Sequence, residues 1–421
     1  MTKRQKLIII IGIIAIVIAG GFYIYLLLQQ RRAPEIEDVA LTSDERKNLT
    51  LTDEEKKKGI TLDQKEKELA QSKKSDVLRE LLGQKQTKPE KKVVSIIKII
   101  DKEVKFPTLS VDQKKILYFD PQAREFYQAE LNGTALTGIT RGNFTNLENV
   151  SWSQDRSKAV LTISNEETKN REYFYFDFAT QESKKIDSHF ENPTISFDGK
   201  KIVYIYTETD KNIFNLSVAD PDGSNWRKIA FLNNNQGKID WLLGDRTIFI
   251  PQADSTKESG LYVYDVAEGK NSFVFISGKY SFDAKFSYDG KQVLWQEGDK
   301  GERRPSLYIS PLAPGKSAKK LLVNGLAEKC AWFSDNLAVL CAIPENFSNY
   351  YRQPESWLND EFVSRDSFYK IDSQTNELTK VVEAKQFNKD YDVASPFMAP
   401  DGKTMYFVRK NDGKLYALQM P

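Results

Sequence analysis

Over the last three-quarters of the chain, short runs of apolar β-formers recur between polar turn signals at regular intervals. Short apolar runs bounded by turn signals mark buried strands. The clearest stretch is ISFDGKKIVYI, residues 195–205, with an apolar lead-in, a turn at Asp198-Gly199, two lysines, and then Ile202, Val203, Tyr204 and Ile205. It predicts a β-hairpin, because glycine accepts the positive φ of a tight turn and aspartate can bond its own backbone. Residues 286–295 (FSYDGKQVLW) and 398–408 (MAPDGKTMYFV) repeat it with turns at Asp289-Gly290 and Asp401-Gly402. Looser copies at 109–119, 152–163, 241–250 and 332–343 place Asp112, Asp155, Asp245 and Asp335 at the same point.

The turn aspartates are spaced by 43, 43, 47, 44, 46 and 66 residues. Five of these spacings lie near the length of one four-stranded propeller blade. Behind each turn an aromatic-rich strand follows, as at 173–178, 214–220, 261–265, 307–310, 368–372 and 415–418, and then a short apolar piece, which gives four strands per unit. A single unit cannot bury both faces, so units must stack radially and close. The expectation is an all-β domain over 91–421, a β-propeller of seven blades, with six or eight as alternatives. The last unit ends after its third strand, and VVSIIKII at 93–100 is the spare strand expected to complete it.

Ser-x-Asp-Gly-Lys followed by β-formers, then a Leu-Tyr-x-x-Asp strand and a turn such as Asp220-Pro221-Asp222-Gly223, resembles the WD40-like repeat of TolB-type β-propellers over residues 93–421. The resemblance implies a scaffold used by periplasmic binding proteins and by non-catalytic domains of some peptidases. Fold alone does not choose between them.

Ahead of the repeats, a basic end at 1–6 precedes 22 uncharged residues running from Leu7 to Leu28, long enough to cross a bilayer and longer than a signal-peptide core. Lys3, Arg4 and Lys6 before it, against Arg31 and Arg32 after it, favour a cytoplasmic N-terminus. Residues 7–28 are therefore expected to be a single-pass signal anchor, with the propeller outside the cell membrane. Residues 29–90 are charged and nearly free of aromatics. They read as a flexible tether of roughly 40 Å, with a short helix at 76–82 after Ser75 as its best-formed piece.

Composition narrows the function classes. A net charge of +2 from 61 basic and 59 acidic residues gives no bulk excess for nucleic acid. Cys330 and Cys341 flank the Asp335 turn, and they fit either a cross-strand disulfide or two buried thiols. His189 is the one histidine, which limits nucleophilic triads, and neither metal-ligand spacing nor a cofactor motif is present. The insertion at 344–365 breaks the repeat and holds Tyr350, Tyr351, Arg352, Trp357 and Phe362, residue types common at binding hot spots. They read as a binding surface or as a cap over the channel. The functional expectation is a non-catalytic, protein-binding or assembly scaffold. The alternatives are a hydrolase or lyase using channel carboxylates, and glycan or cell-wall binding through the insertion.

Overall fold

The computed structural model describes residues 35–41, 46, 49–52, 55–56, 59–81, 94–208, 211–243, 245–252, 254–267 and 272–421. The expected anchor at 7–28 and the basic end at 1–6 lie outside them. Among the described residues no helix is long and apolar enough to cross a membrane.

Chain order begins with β1 (Glu35–Ala40), α1 (Leu62–Leu81) and β2 (Val94–Glu103). Then β3–β6 cover 105–138, β7–β10 cover 147–185 and β11–β14 cover 190–232, each a four-stranded antiparallel sheet. Strands β15–β21 cover 237–324 as one seven-stranded sheet; β22–β25 cover 330–382 as another four-stranded one, and β26–β28 cover 393–419. Inside the long sheet, β18 (Phe273–Phe286) serves twice. Its first half pairs with β17 and its second with β19, so it ends one group of strands and opens the next.

The last sheet runs β1-β2-β28-β27-β26. Strand β2, which contains most of the apolar run seen in the sequence, pairs with β28 from Ser95↔Gln419 to Glu103↔Lys414 and completes the unit that stops short. The charged stretch before it is not simply a tether. Its residues 35–40 add a fifth strand to that sheet, from Glu35↔Lys98 to Ala40↔Val94. The helix also begins earlier than expected. Thr61 caps it through a reciprocal pair, Gln64 N–H to Thr61 Oγ1 at 3.2 Å and Thr61 N–H to the Gln64 side chain at 2.9 Å, a capping box that overrides the weaker signal at Ser75.

The repeated turns share one construction. Ser196 Oγ donates to Asp198 at 2.7 Å, Lys200 N–H donates to the same carboxylate at 3.1 Å, and Lys201 N–H donates back to Ser196 Oγ at 2.9 Å. Ser110–Asp112, Ser153–Asp155 and Ser287–Asp289 repeat the serine-to-aspartate bond. In most copies the positive φ falls on the residue after the aspartate: Gly199, Gly290 and Gly402, and Gln113, Arg156 and Asn336 where glycine is missing. Asp245 is the exception and itself takes φ 55°.

Seven apolar clusters are shared between successive groups of strands, and they run in a closed series. The one joining last to first packs Leu415, Tyr406 and Ile100 against Ile116 and Tyr118. The result is a propeller whose innermost strands surround a channel.

Candidate functional site

Inner strands show a two-residue alternation, and it sorts their side chains between core and channel. In β15 (Gly237–Leu242), Ile239 and Trp241 are buried in a cluster while Lys238 and Asp240 take the other face. In the second half of β18, Phe282 and Ala284 go to the core and Asp283 and Lys285 to the channel side. Bulges re-aim some positions: Asn192 and Ser281 sit at φ 50° and 55° where the register with the next strand shifts. Gly237 is required by space, since a Cβ there would stand 2.5 Å from both the Ile250 carbonyl oxygen and the Phe249 ring.

These strands and the loops of the insertion face enclose a cavity of about 940 Å³. A deeper recess of about 420 Å³, lined by Asn149, Ser151, Thr194 and Asp240, adjoins it. Its walls are polar and mostly paired. Arg171 Nε donates to Glu148 at 2.8 Å, Asn235 Nδ2 to Glu191 at 2.8 Å, Lys238 lies 3.5 Å from Asp283, and Lys285 lies 3.1 Å from Glu328. Asn170, Gln236, Gln252 and Gln296 add neutral amides.

Protein surrounds these channel groups, and their ionisation reflects it. Burial works against the Lys238 ammonium, but Asp283, Glu328 and Asp240 outweigh it and hold its pKa above the usual value. Glu328 is drawn down to about 2, chiefly by Lys285, against desolvation and with help from Lys238. Asp240 goes the other way, because burial raises it by more than Lys238 lowers it.

The insertion roofs part of this cavity. After β23 (Ala338–Pro344) the chain crosses the channel side and forms a one-turn helix, α2 (Glu355–Leu358), before β24 (Asp366–Asp372). Glu355 accepts from Ser255 N–H at 3.1 Å and from the Ser255 hydroxyl, and Ser281 Oγ donates to the Gln353 carbonyl at 2.7 Å. On the other side Trp357 Nε1 donates to Asp392 at 2.8 Å, its ring lies under Lys329 and Lys410 at 4.7 and 4.5 Å, and Lys410 pairs with Asp360 at 2.6 Å.

Of the two readings of the insertion, binding surface or cap, these contacts favour the cap for its central aromatics. Trp357 and Phe362 are each 4% exposed, with Phe347 and Tyr351 packed around them. Polar partners for the indole and a pocket for the ring favour burial over display. Tyr350, 84% exposed, and Arg352 remain on the surface. His189 is exposed, with Nδ1 2.8 Å from Asp187 in a connecting loop. Cys330 and Cys341 face each other in register and form a disulfide, with Cα atoms 4.1 Å apart. Among the described residues no group of three or more His, Cys, Asp or Glu side chains is arranged to hold a metal ion. The sequence reading did not single out the channel residues. Only the polar member of each inner-strand alternation, Lys238 and Asp240 or Asp283 and Lys285, marked them.

A closed series of four-stranded units with a polar channel defines a β-propeller, and the solved structures agree. An oligogalacturonate lyase in complex with manganese matches with a TM-score of 0.54 at 14% identity, over 78% of this chain and 93% of its own. The β-propeller domain of Cps50 (Swd1) from Myceliophteria thermophila matches at 0.52 and 10%, over 77% and 100%. TolB from Acinetobacter baumannii matches at 0.40 and 12%, over 77% and 65%. At these identities the first two likenesses show the β-propeller fold and nothing beyond it. No family model matches the chain, and no curated protein does.

Proposed function

We propose that this chain is a membrane-anchored, extracytoplasmic propeller of seven blades that binds a polar protein segment at the partly roofed mouth of its channel and catalyses no reaction. The count of seven takes the long sheet as two blades sharing β18. Residues 7–28 support the anchor, and the Cys330–Cys341 disulfide supports an oxidising compartment. The observation that carries the binding reading is the mouth itself, a cavity of about 940 Å³ in which most of the charged side chains are paired with one another and several amides, with Ser188 and Tyr173, supply further hydrogen-bonding groups. Such a lining offers many hydrogen bonds and little net charge, which suits a peptide backbone and polar side chains.

A second reading is favoured by one arrangement: two carboxyls on the channel side, Asp240 and Glu328, are pushed in opposite directions, the first up by its surroundings and the second down by Lys285, and a general acid and base require such a difference. One experiment separates the two. A photoreactive residue at Lys169, on the open side of the mouth, is expected to give a discrete protein adduct in native membranes, lost in Arg171→Glu and retained in Asp240→Asn. An absence of adducts at Lys169 would remove the binding reading and leave the carboxylates as the feature to explain.

A further inference from the structure

The pairing of β1 limits how far the propeller can stand from a membrane. Glu35 is already in register with Lys98 in the last sheet, so only residues 29–34 separate Leu28 from the folded domain. Six residues fully extended span about 20 Å. A domain of this size has a radius of gyration of about 20 Å, so its far rim lies beyond that reach. We infer that the propeller rides against the lipid surface with the rim formed by its last sheet toward the headgroups; this rests on residues 7–28 being the anchor.

The strand that receives the tether is fastened to the domain. Val39 packs with Ile97, and Val77 of α1 covers both. Arg46 bonds Glu66 at 2.9 Å and Glu383 at 3.1 Å, which ties the N-terminal segment to the neighbouring sheet beyond its own hydrogen bonds. A pull on residue 35 is therefore carried by the ring instead of being absorbed by slack chain. The chemistry near this rim suits phosphate headgroups. Arg31 and Arg32 lie in the tether, and Lys102 on β2 is about half exposed, facing only a loose ion pair with Asp120 at 3.6 Å. Basic groups beside an anionic leaflet are attracted within a Debye length of it.

The test uses the full chain in vesicles of phosphatidylcholine and phosphatidylglycerol carrying a headgroup energy acceptor. A donor dye is attached to Lys102→Cys, or to Phe231→Cys on β14 (Arg227–Leu232) across the ring; the native cysteines, being paired, do not react. Transfer from position 102 is expected to exceed that from 231 several-fold, and thirty Gly/Ser residues inserted between Gln30 and Arg31 are expected to erase the difference. Alkaline carbonate extraction runs in parallel. Protein that stays in the membrane but transfers equally from both positions overturns the proposal alone. Protein released by carbonate overturns the anchor reading and the proposal with it.

Discussion

Lys329 is fully buried, and four oxygens hold its ammonium: Asp392 at 2.6 Å, Asp366 and Ser364 at 2.8 Å, and the Val393 carbonyl at 2.9 Å. One cation cannot compensate two buried carboxylates, so they differ. Burial opposes the Asp392 charge, but Lys329, Trp357 and Ser364 outweigh it and keep its pKa low. Burial raises Asp366 by more than Lys329 lowers it, with Asp392 adding to the rise, and its Oδ1 has no protein partner. Of the two carboxyls, Asp392 is the better-held anion and Asp366 the more readily protonated. Asp392→Asn, which removes the better-held of the two carboxylates beside the lysine, is expected to cost about 3–5 kcal/mol at pH 7, and Asp366→Asn about 1 kcal/mol or less. The pH dependences run in opposite senses. With its folded pKa below 3.8, Asp392 contributes stability that is present above that value and lost as pH falls, so Asp392→Asn does most harm at neutral pH. With its folded pKa above 3.8, Asp366 contributes stability that is present in acid and lost as pH rises, so Asp366→Asn compares better with wild type at pH 7 than at pH 4. Urea unfolding at the two pH values reads both, and equal penalties for the two variants would refute the assignment.

At the scale of elements, the first hairpin of the β22–β25 sheet carries a testable link. Cys330 and Cys341 are 11 residues apart. Closing so short a loop restricts the unfolded chain by about 2–3 kcal/mol. Replacing both cysteines by alanine is expected to lower the unfolding free energy by that amount, and dithiothreitol to do the same to wild type but nothing to the variant. An unchanged melt in reductant would mean the bond adds no stability. The symmetry of the two cysteines about Asp335 was legible in the sequence, because a hairpin is a local object; their oxidation was not, since redox state leaves no mark on spacing. The turns are legible for the same reason, down to Asp112, Asp155, Asp198 and Asp289; the serine two residues earlier is visible as part of the repeat, but its bond to the aspartate is not. Which of the two readings of the insertion applies to Trp357 is not legible locally, because the repeat pattern stops inside the insertion and the partner of its indole, Asp392, lies 35 positions on. The helix start was missed although Thr61 and Gln64 stand at capping-box spacing, since the high charge of that stretch outweighed a four-residue signal.

For the whole molecule the question is what keeps the ring shut, and β2 is the element that decides it. It is hydrogen-bonded to β28 on one edge and β1 on the other, while its side chains enter two different inter-sheet clusters, Ile96 toward the β22–β25 side and Ile100 toward β3–β6. One strand from the start of the domain thus joins its last sheet to both neighbours. If the ring unfolds as one unit, a cavity on either face of β2 destabilises all of it; if the last sheet opens alone, the damage stays local. Both isoleucines are buried, so Ile96→Ala and Ile100→Ala are each expected to cost about 2–5 kcal/mol. The whole urea transition should then shift, with the same midpoint by far-UV dichroism and by tryptophan fluorescence read in a Trp357→Phe background, where the remaining indoles, Trp241, Trp295 and Trp332 among them, lie outside the last sheet. A separate early transition in dichroism, with the tryptophan signal unmoved, would show that the closing sheet detaches by itself and that the other sheets hold their arrangement without it. Removing residues 35–81 is the milder cut. It deletes the fifth strand and its helix but leaves β26–β28 and β2 paired, so the single transition should survive at a lower midpoint.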